Sequence, residues 1–311
     1  MADQKISDRA ERLPGAFDGT ELIHVLPTSA GISYKSPVGT AASKNTGTGA
    51  GEVPLNSDLD LSADITVTVG SGGDYATINA ALAALVKRKP LYDSSGITAT
   101  INLLAGFVMA EQVLVYGLDL GWITIVGADT ETVITHTALT TDFTASDYGF
   151  NAYPAFGVSR GGVLPRVGQL FRFNLSGVGG DKHGVMAIGA GSSADVLDGC
   201  GVKDAGSYGI FASQGSTINA RGADASGAGS YGIFAYYGST INAYQANASG
   251  AEDRGIYANQ GSTINAESAN ASGAGAYGIF AYQGSTINAN GATGTLNLTA
   301  NTLTSSGIIF R

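Results

Sequence analysis

One block of sequence returns four times at a fixed spacing near the C-terminal end of the chain. Tyr208-Gly209-Ile210-Phe211 recurs as Tyr231-Gly232-Ile233-Phe234, Arg254-Gly255-Ile256-Tyr257 and Tyr277-Gly278-Ile279-Phe280, at a period of 23 residues. Each copy continues into Gly-Ser-Thr-Ile-Asn-Ala, at Gly215 to Ala220, Gly238 to Ala243, Gly261 to Ala266 and Gly284 to Ala289. A period of this size marks one supersecondary unit stacked on copies of itself, so this part of the chain forms a rod.

Two units fit a period in the twenties: the leucine-rich repeat and the coil of a parallel β-helix. Residues 206–291 contain no Leu, Pro or Lys, which removes the first. In Ser216-Thr217-Ile218-Asn219-Ala220, the small and apolar residues share one parity and Thr and Asn take the other, which is a strand with one buried face. The expected fold is therefore all-β: a parallel β-helix of about three short strands per coil. Adjacent coils are about 4.8 Å apart, so equivalent side chains form columns. Ile210, Ile233, Ile256 and Ile279 should form one inward ladder, and Ile218, Ile241, Ile264 and Ile287 another. Asn219, Asn242, Asn265 and Asn288 should form an amide column bonded along the stack.

Composition narrows the function. A net charge of −9 argues against nucleic acid, whose phosphates need clustered Lys and Arg. Cys200 is the one cysteine, and His24, His136 and His183 are scattered, so the expectation is no metal site and no cofactor. Gly70-Ser71-Gly72-Gly73 lacks the third glycine of a dinucleotide loop. The polar start, Met1 to Glu11, reads as lacking a signal peptide, and no apolar run is long enough to cross a bilayer. The expectation is a soluble protein made in a cytosol, without membrane insertion.

The chain divides into residues 1–38, a small element with two short strands; 39–60, a Gly-rich linker; and 61–311, the β-helix body. Within the body, Ile65 to Val69 reads as a strand. Ile78, Leu82, Leu85 and Val86 share one helical face, with Asp74 and Thr77 as N-cap candidates and Pro90 as the stop. This helix is placed to cap the open end of the β-helix. Further strands are expected over Ala99 to Leu104, Gln112 to Tyr116 and Trp122 to Val126. Residues 139–175 break the pattern with many aromatics and read as a coil carrying a lateral loop. Ser306 to Phe310 reads as the start of a further coil, which leaves an uncapped face for a partner. At about 4.8 Å per coil, ten or eleven coils give a body of about 50 Å.

Two family resemblances follow. Ile65 to Gly70, Gly73-Asp74-Tyr75-Ala76-Thr77-Ile78-Asn79-Ala80-Ala81-Leu82 and Ile123-Thr124-Ile125-Val126-Gly127 resemble the entry region of pectin-lyase-like right-handed β-helices, especially pectinesterases. The aspartate- and arginine-bearing motifs of pectinesterases are not found, so the resemblance implies a right-handed parallel β-helix and not an activity. Lys5-Ile6-Ser7-Asp8, Gly19-Thr20-Glu21-Leu22 and the run from Gly39 to Pro54 resemble virion-attachment segments of bacteriophage tail fibres and tailspikes. Together these imply a spike of a phage-like particle, on a tail or a capsid vertex. Its N-terminus would contact a portal, baseplate or capsid-vertex protein through Glu21, Leu22, Val25 and Tyr34. The resemblance further implies a homotrimer that binds or cuts cell-surface polysaccharide. A rod this short also suits a spike base carrying a separate distal protein at its C-terminal end.

Cleavage of a glycan needs two carboxylates at a set separation. Asp181 and Asp204 are one period apart, with Asp195 and Asp198 between them and His183 and Lys203 nearby, so these four are the catalytic candidates for a depolymerase. Turn and edge positions, which Asp favours, are the plainer reading. Phe211, Phe234, Tyr257 and Phe280 have the parity opposite to Ile210 and should point outward, as a trimer interface or a sugar platform. Tyr148, Tyr153, Arg160, Tyr236 and Tyr237 are the glycan-binding candidates. Glu252-Asp253-Arg254 interrupts the repeat with charge and reads as a solvated turn or a contact.

Overall fold

The computed structural model describes residues 63–88, 96–143, 151–174, 180–296 and 307–311. The 1–38 segment with Glu21, Leu22, Val25 and Tyr34, the 39–60 linker, Pro90 and Tyr148 lie outside the described residues. The chain divides into two units, Met1–Leu55 and Asn56–Arg311, and the described residues all belong to the second.

Every strand pairing among the described residues is parallel, and consecutive rungs belong to successive turns of the chain. Three faces result. One is the sheet β1(Ile65–Val69)–β2(Ala99–Leu103)–β5(Ile123–Gly127)–β8(Arg166–Gly168). Bridges at Val163↔Ser193 and Val167↔Val196 lead from it to β11(Ser193–Asp195)–β14(Thr217–Asn219)–β16(Thr240–Asn242)–β18(Thr263–Asn265)–β20(Ser285–Asn288)–β21(Gly307–Phe310). The second face holds β3(Val108–Met109), β6(Thr132–Ile134), β9(Leu170–Phe173) and β12(Gly201–Lys203). Single bridges Gly201↔Asp224↔Asn247↔Asn270↔Thr293 continue it. The third is a seven-stranded sheet: β4(Val113–Tyr116), β7(Tyr153–Ser159), β10(Lys182–Ile188), β13(Tyr208–Ser213), β15(Tyr231–Tyr236), β17(Arg254–Ala258) and β19(Tyr277–Ala281).

The expected ladders are present. Ile210 pairs with Ile233, Ile233 with Ile256 and Ile256 with Ile279, all fully buried. Ile218, Ile241, Ile264 and Ile287 form the second column and Ile309 of β21 extends it. Each such Ile contributes roughly 1.5–3 kcal/mol by burial, and the core between the faces is filled out by Ala. Glycine before each Ile of the first column is a packing requirement. A Cβ on Gly232 would lie 2.8 Å from the Ala248 Cβ and 2.8 Å from the Gly255 carbonyl oxygen.

Helix α1 (Ile78–Val86) joins the core through Ile78, Ala81, Leu82 and Leu85 and packs against β1 and β2. Thr77 is its N-cap, accepting from the Ala80 N–H at 3.1 Å. The Glu111 carboxylate accepts from Ile78 and Asn79 N–H at 2.6 and 3.1 Å. Asp74 does not cap the helix: it accepts from the Thr68 N–H and hydroxyl at 2.8 and 2.7 Å and closes the turn after β1. Much of 139–175 is rung and not loop, since β7, β8 and β9 fall within it. The excess length sits before β7, in a coil that sets Phe156 against Val113.

Candidate functional site

The outer side of the seven-stranded sheet is paved with rings. Phe211, Phe234, Tyr257 and Phe280 do project away from the Ile core, because side chains alternate along a strand and these rings form a separate cluster. They stack along the coil axis with centroids 5.0 Å (Phe211–Phe234) and 4.7 Å (Phe234–Tyr257) apart, then edge-on at 5.1 Å to Phe280. A second column, His183, Tyr208 and Tyr231, lies beside the first at spacings of 4.6 and 5.1 Å. The two columns cover one another. Phe211, Phe234 and Tyr257 are only 2%, 5% and 7% exposed in the single chain. The column therefore corrects the expectation of an open apolar stripe: these three rings offer a partner almost no surface.

Arg254 takes the place of Tyr in the second column, between Tyr231 and Tyr277. Its guanidinium sits 4.4 Å from the Phe280 ring centre and 4.8 Å from that of Tyr257. It donates to the Tyr231 hydroxyl at 3.0 Å and to Asp253 at 2.7 Å. A planar cation continues a ring stack because it is attracted to π faces. The Arg254 charge is thus built into the stack instead of being left in a solvated turn, while Glu252 is exposed.

His183 is buried, and its Nδ1 accepts the Tyr208 backbone N–H at 3.3 Å. Burial pushes its imidazole down to about 3 and pushes the Tyr208 phenol up to about 12. Both are neutral structural rings at neutral pH.

Exposed groups gather where the strands of this sheet end. Arg160, Gln214, Tyr237, Gln260 and Gln283 follow the strand ends and all have positive φ, between 47° and 59°. Left-handed backbone is unfavourable for a residue with a Cβ, and the next residue in each case is a glycine with positive φ. Two consecutive left-handed residues turn the chain sharply and carry the Gln and Tyr side chains onto a ridge. Beside that ridge runs the last outward position of each strand: Tyr116, Ser159, Ile188, Ser213, Tyr236, Asn259 and Tyr282. Tyr237 and Tyr282 are 49% and 41% exposed. Tyr236 and Tyr237 have centroids 3.9 Å apart, and a hydrogen bond between their phenols, with burial, pushes Tyr236 up to about 12. Arg160 lies 5.4 Å over Tyr116. Tyr153 instead carries the Lys182 ammonium over its ring at 4.3 Å, away from this ridge. The Gln and Asn positions went unnoticed in sequence; their signal was the unvarying Gly that follows Gln214, Tyr237, Gln260 and Gln283.

The acids are not brought together. The Val185↔Ile210 register spaces its two coils 25 residues apart, so Asp181 does not come level with Asp204. Asp195 stacks under Asn219 and accepts from its Nδ2 at 2.8 Å. It is the terminal acceptor of the amide ladder, in which Asn242, Asn265 and Asn288 each donate to the preceding Asn at 3.0, 3.2 and 2.9 Å. Asp224 ends a second ladder in the same way, accepting from Asn247 at 3.2 Å, which in turn accepts from Asn270 at 3.2 Å. Asp198 stands against Gly222 and Asp204 against Gly227, where a Cβ would meet their carboxylates. Burial raises the Asp204 carboxyl, opposed by Lys203 and Arg172. Glu131 nearby is held by Arg172 at 2.9 Å and Lys203 at 3.1 Å. No two of the four candidates occupy equivalent positions of neighbouring coils.

Residues 171–310 match the family model of the right handed beta helix region. With the parallel registers, this makes the fold a right-handed parallel β-helix. No match to the chain was found among curated proteins. Among the described residues no helix is long and apolar enough to cross a membrane.

Proposed function

We propose that the chain is a structural spike of a phage-like particle whose β-helix binds cell-surface polysaccharide along the strand ends of its seven-stranded sheet. The observation that carries this is the ridge of exposed Tyr rings interleaved with amides, laid on a backing of buried, stacked rings. Sugars combine apolar C–H faces with hydroxyl edges, so they bind to aromatic platforms flanked by planar hydrogen-bonding groups. Anchoring through residues 1–38 and trimerisation rest on the resemblance of the N-terminal segment. The buried Phe211–Phe234–Tyr257 column no longer supports a trimer interface there. Binding without cleavage is favoured over depolymerase activity because Asp195 is engaged in a ladder and no candidate pair is stacked.

Co-sedimentation of the purified full chain with host capsule tests this reading. Retention of protein by the polymer, with no fall in polymer length, is the expected result. Absence of retention contradicts attachment, and shortening of the polymer contradicts a purely structural role.

A further inference from the structure

The outer row at the strand ends contains a missing rung. Tyr236, Asn259 and Tyr282 occupy equivalent positions of three successive coils: Asn259 donates its backbone N–H to the Ala235 carbonyl and Tyr282 to that of Ala258, each at 2.9 Å. At about 4.8 Å per coil, the Tyr236 and Tyr282 positions are about 9.6 Å apart. Rings on adjacent coils of this face stack 4.7 to 5.1 Å apart. At this row the Asn259 side chain stands where the neighbouring coils carry a ring.

Its polar lining is unsatisfied. The Asn259 Oδ1 and the Gln260 Oε1 are hidden from solvent and have no hydrogen-bond partner. Buried acceptors are ordinarily paired, so an unpaired couple side by side calls for a donor from outside the chain. Gln260 is held there by the left-handed turn, with φ 52°. Tyr237, on the preceding coil, is exposed at the edge of the interval.

We infer that the Asn259–Gln260 interval, walled by Tyr236–Tyr237 and Tyr282, receives one uncharged pyranose unit of a bound glycan. This deepens the polysaccharide reading above and rests on it. The unit stacks its C–H faces on the tyrosine rings, in place of the missing ring. Its hydroxyls donate to the two carbonyl oxygens once side-chain movement uncovers them. With no cationic side chain at these five positions to neutralise a carboxylate, the expected polymer is neutral at this residue.

The test uses the full chain on a printed array of neutral and acidic bacterial polysaccharides. Titration with an oligosaccharide of the best-bound neutral polymer follows. Asn259→Tyr completes the ring column and fills the interval; Tyr282→Ala removes a wall; Arg221→Ala, at an exposed position after the Thr217–Asn219 strand on a different face, is the control. Binding is expected to fall at least tenfold in the first two variants and to stay within twofold in the control. Wild-type binding that both ridge variants retain overturns the interval while leaving the general reading intact, as does a wild-type preference for acidic polymers. No binding by the wild type to any polymer overturns both.

Discussion

The amide ladder has a direction, and reversing one rung should make stability depend on pH. In the wild type Asn242 donates from Nδ2 to the Asn219 Oδ1 at 3.0 Å and accepts from the Asn265 Nδ2 at 3.2 Å. Asn242→Asp keeps the shape and the acceptor but sets a carboxylate oxygen against the Asn219 oxygen. One bond worth about 1 kcal/mol is lost, and the facing acceptors add to this, for a net loss of about 1.5 kcal/mol at neutral pH. Protonation restores the missing donor, so the folded state raises the new carboxyl by about one pKa unit above its unfolded value near 3.9. A raised pKa contributes stability that is fully present below the unfolded value and is lost as pH rises through the folded one. Urea denaturation at pH 3 and pH 7.5 should show the variant close to wild type at the lower pH and about 1.5 kcal/mol weaker at the higher. Asn242→Ala, which cannot donate at either pH, should be weakened equally at both. A deficit in Asn242→Asp that does not change with pH would refute the directional ladder.

The remaining expectations concern the acids, the buried imidazole and the core glycines. Asp195→Asn keeps the acceptor for Asn219 and loses only the partly exposed pair with Arg166 at 3.6 Å, so its stability should change by less than about 0.5 kcal/mol and its glycan retention not at all; loss of polysaccharide processing in this variant would revive a catalytic role. The His183 imidazole, pushed down to about 3 by burial, is neutral when folded and charges near 6.5 when unfolded. Stability that is present above pH 6.5 should therefore be lost as pH falls, by roughly 2 kcal/mol at pH 5. His183→Gln should remove that slope in parallel denaturation series, and an unchanged slope would contradict burial of a neutral ring. Gly232→Ala forces a Cβ to within 2.8 Å of the Gly255 carbonyl oxygen and should lower stability by about 1–3 kcal/mol, read from the denaturation midpoint.

The regular coils were legible in the sequence because their columns repeat without drift: Ile210 predicts Ile233, and Asn219 predicts Asn242. What identity of spacing cannot convey is where a column ends. Asp195 and Asp224 look like free acids in sequence, yet each is the last acceptor of a ladder whose remaining members are Asn and Thr. The coils before Ile210 vary in length, so counting 23 residues from Asp204 to Asp181 gave a false alignment. The parity of Phe211 showed that it points outward, but exposure depends on the neighbouring column, and the Tyr208–Tyr231 stack that covers it is a tertiary fact. Arg254 reads as a charge in a turn until its neighbours are seen to be Tyr231, Tyr257 and Phe280.

If the body is a column of equivalent rungs, a whole rung can be removed and half a rung cannot. Deleting residues 206–228 joins Ala205 to Gly229-Ser230-Tyr231, a sequence matching the Gly206-Ser207-Tyr208 it replaces, and leaves the strand ends from Tyr236 to Tyr282 untouched. This variant should unfold cooperatively, keep its glycan binding and shorten by about 4.8 Å in small-angle scattering. Deleting residues 206–217 should abolish the folded β signal. Equal tolerance of both deletions, or collapse of the first, would contradict the stacked-coil account.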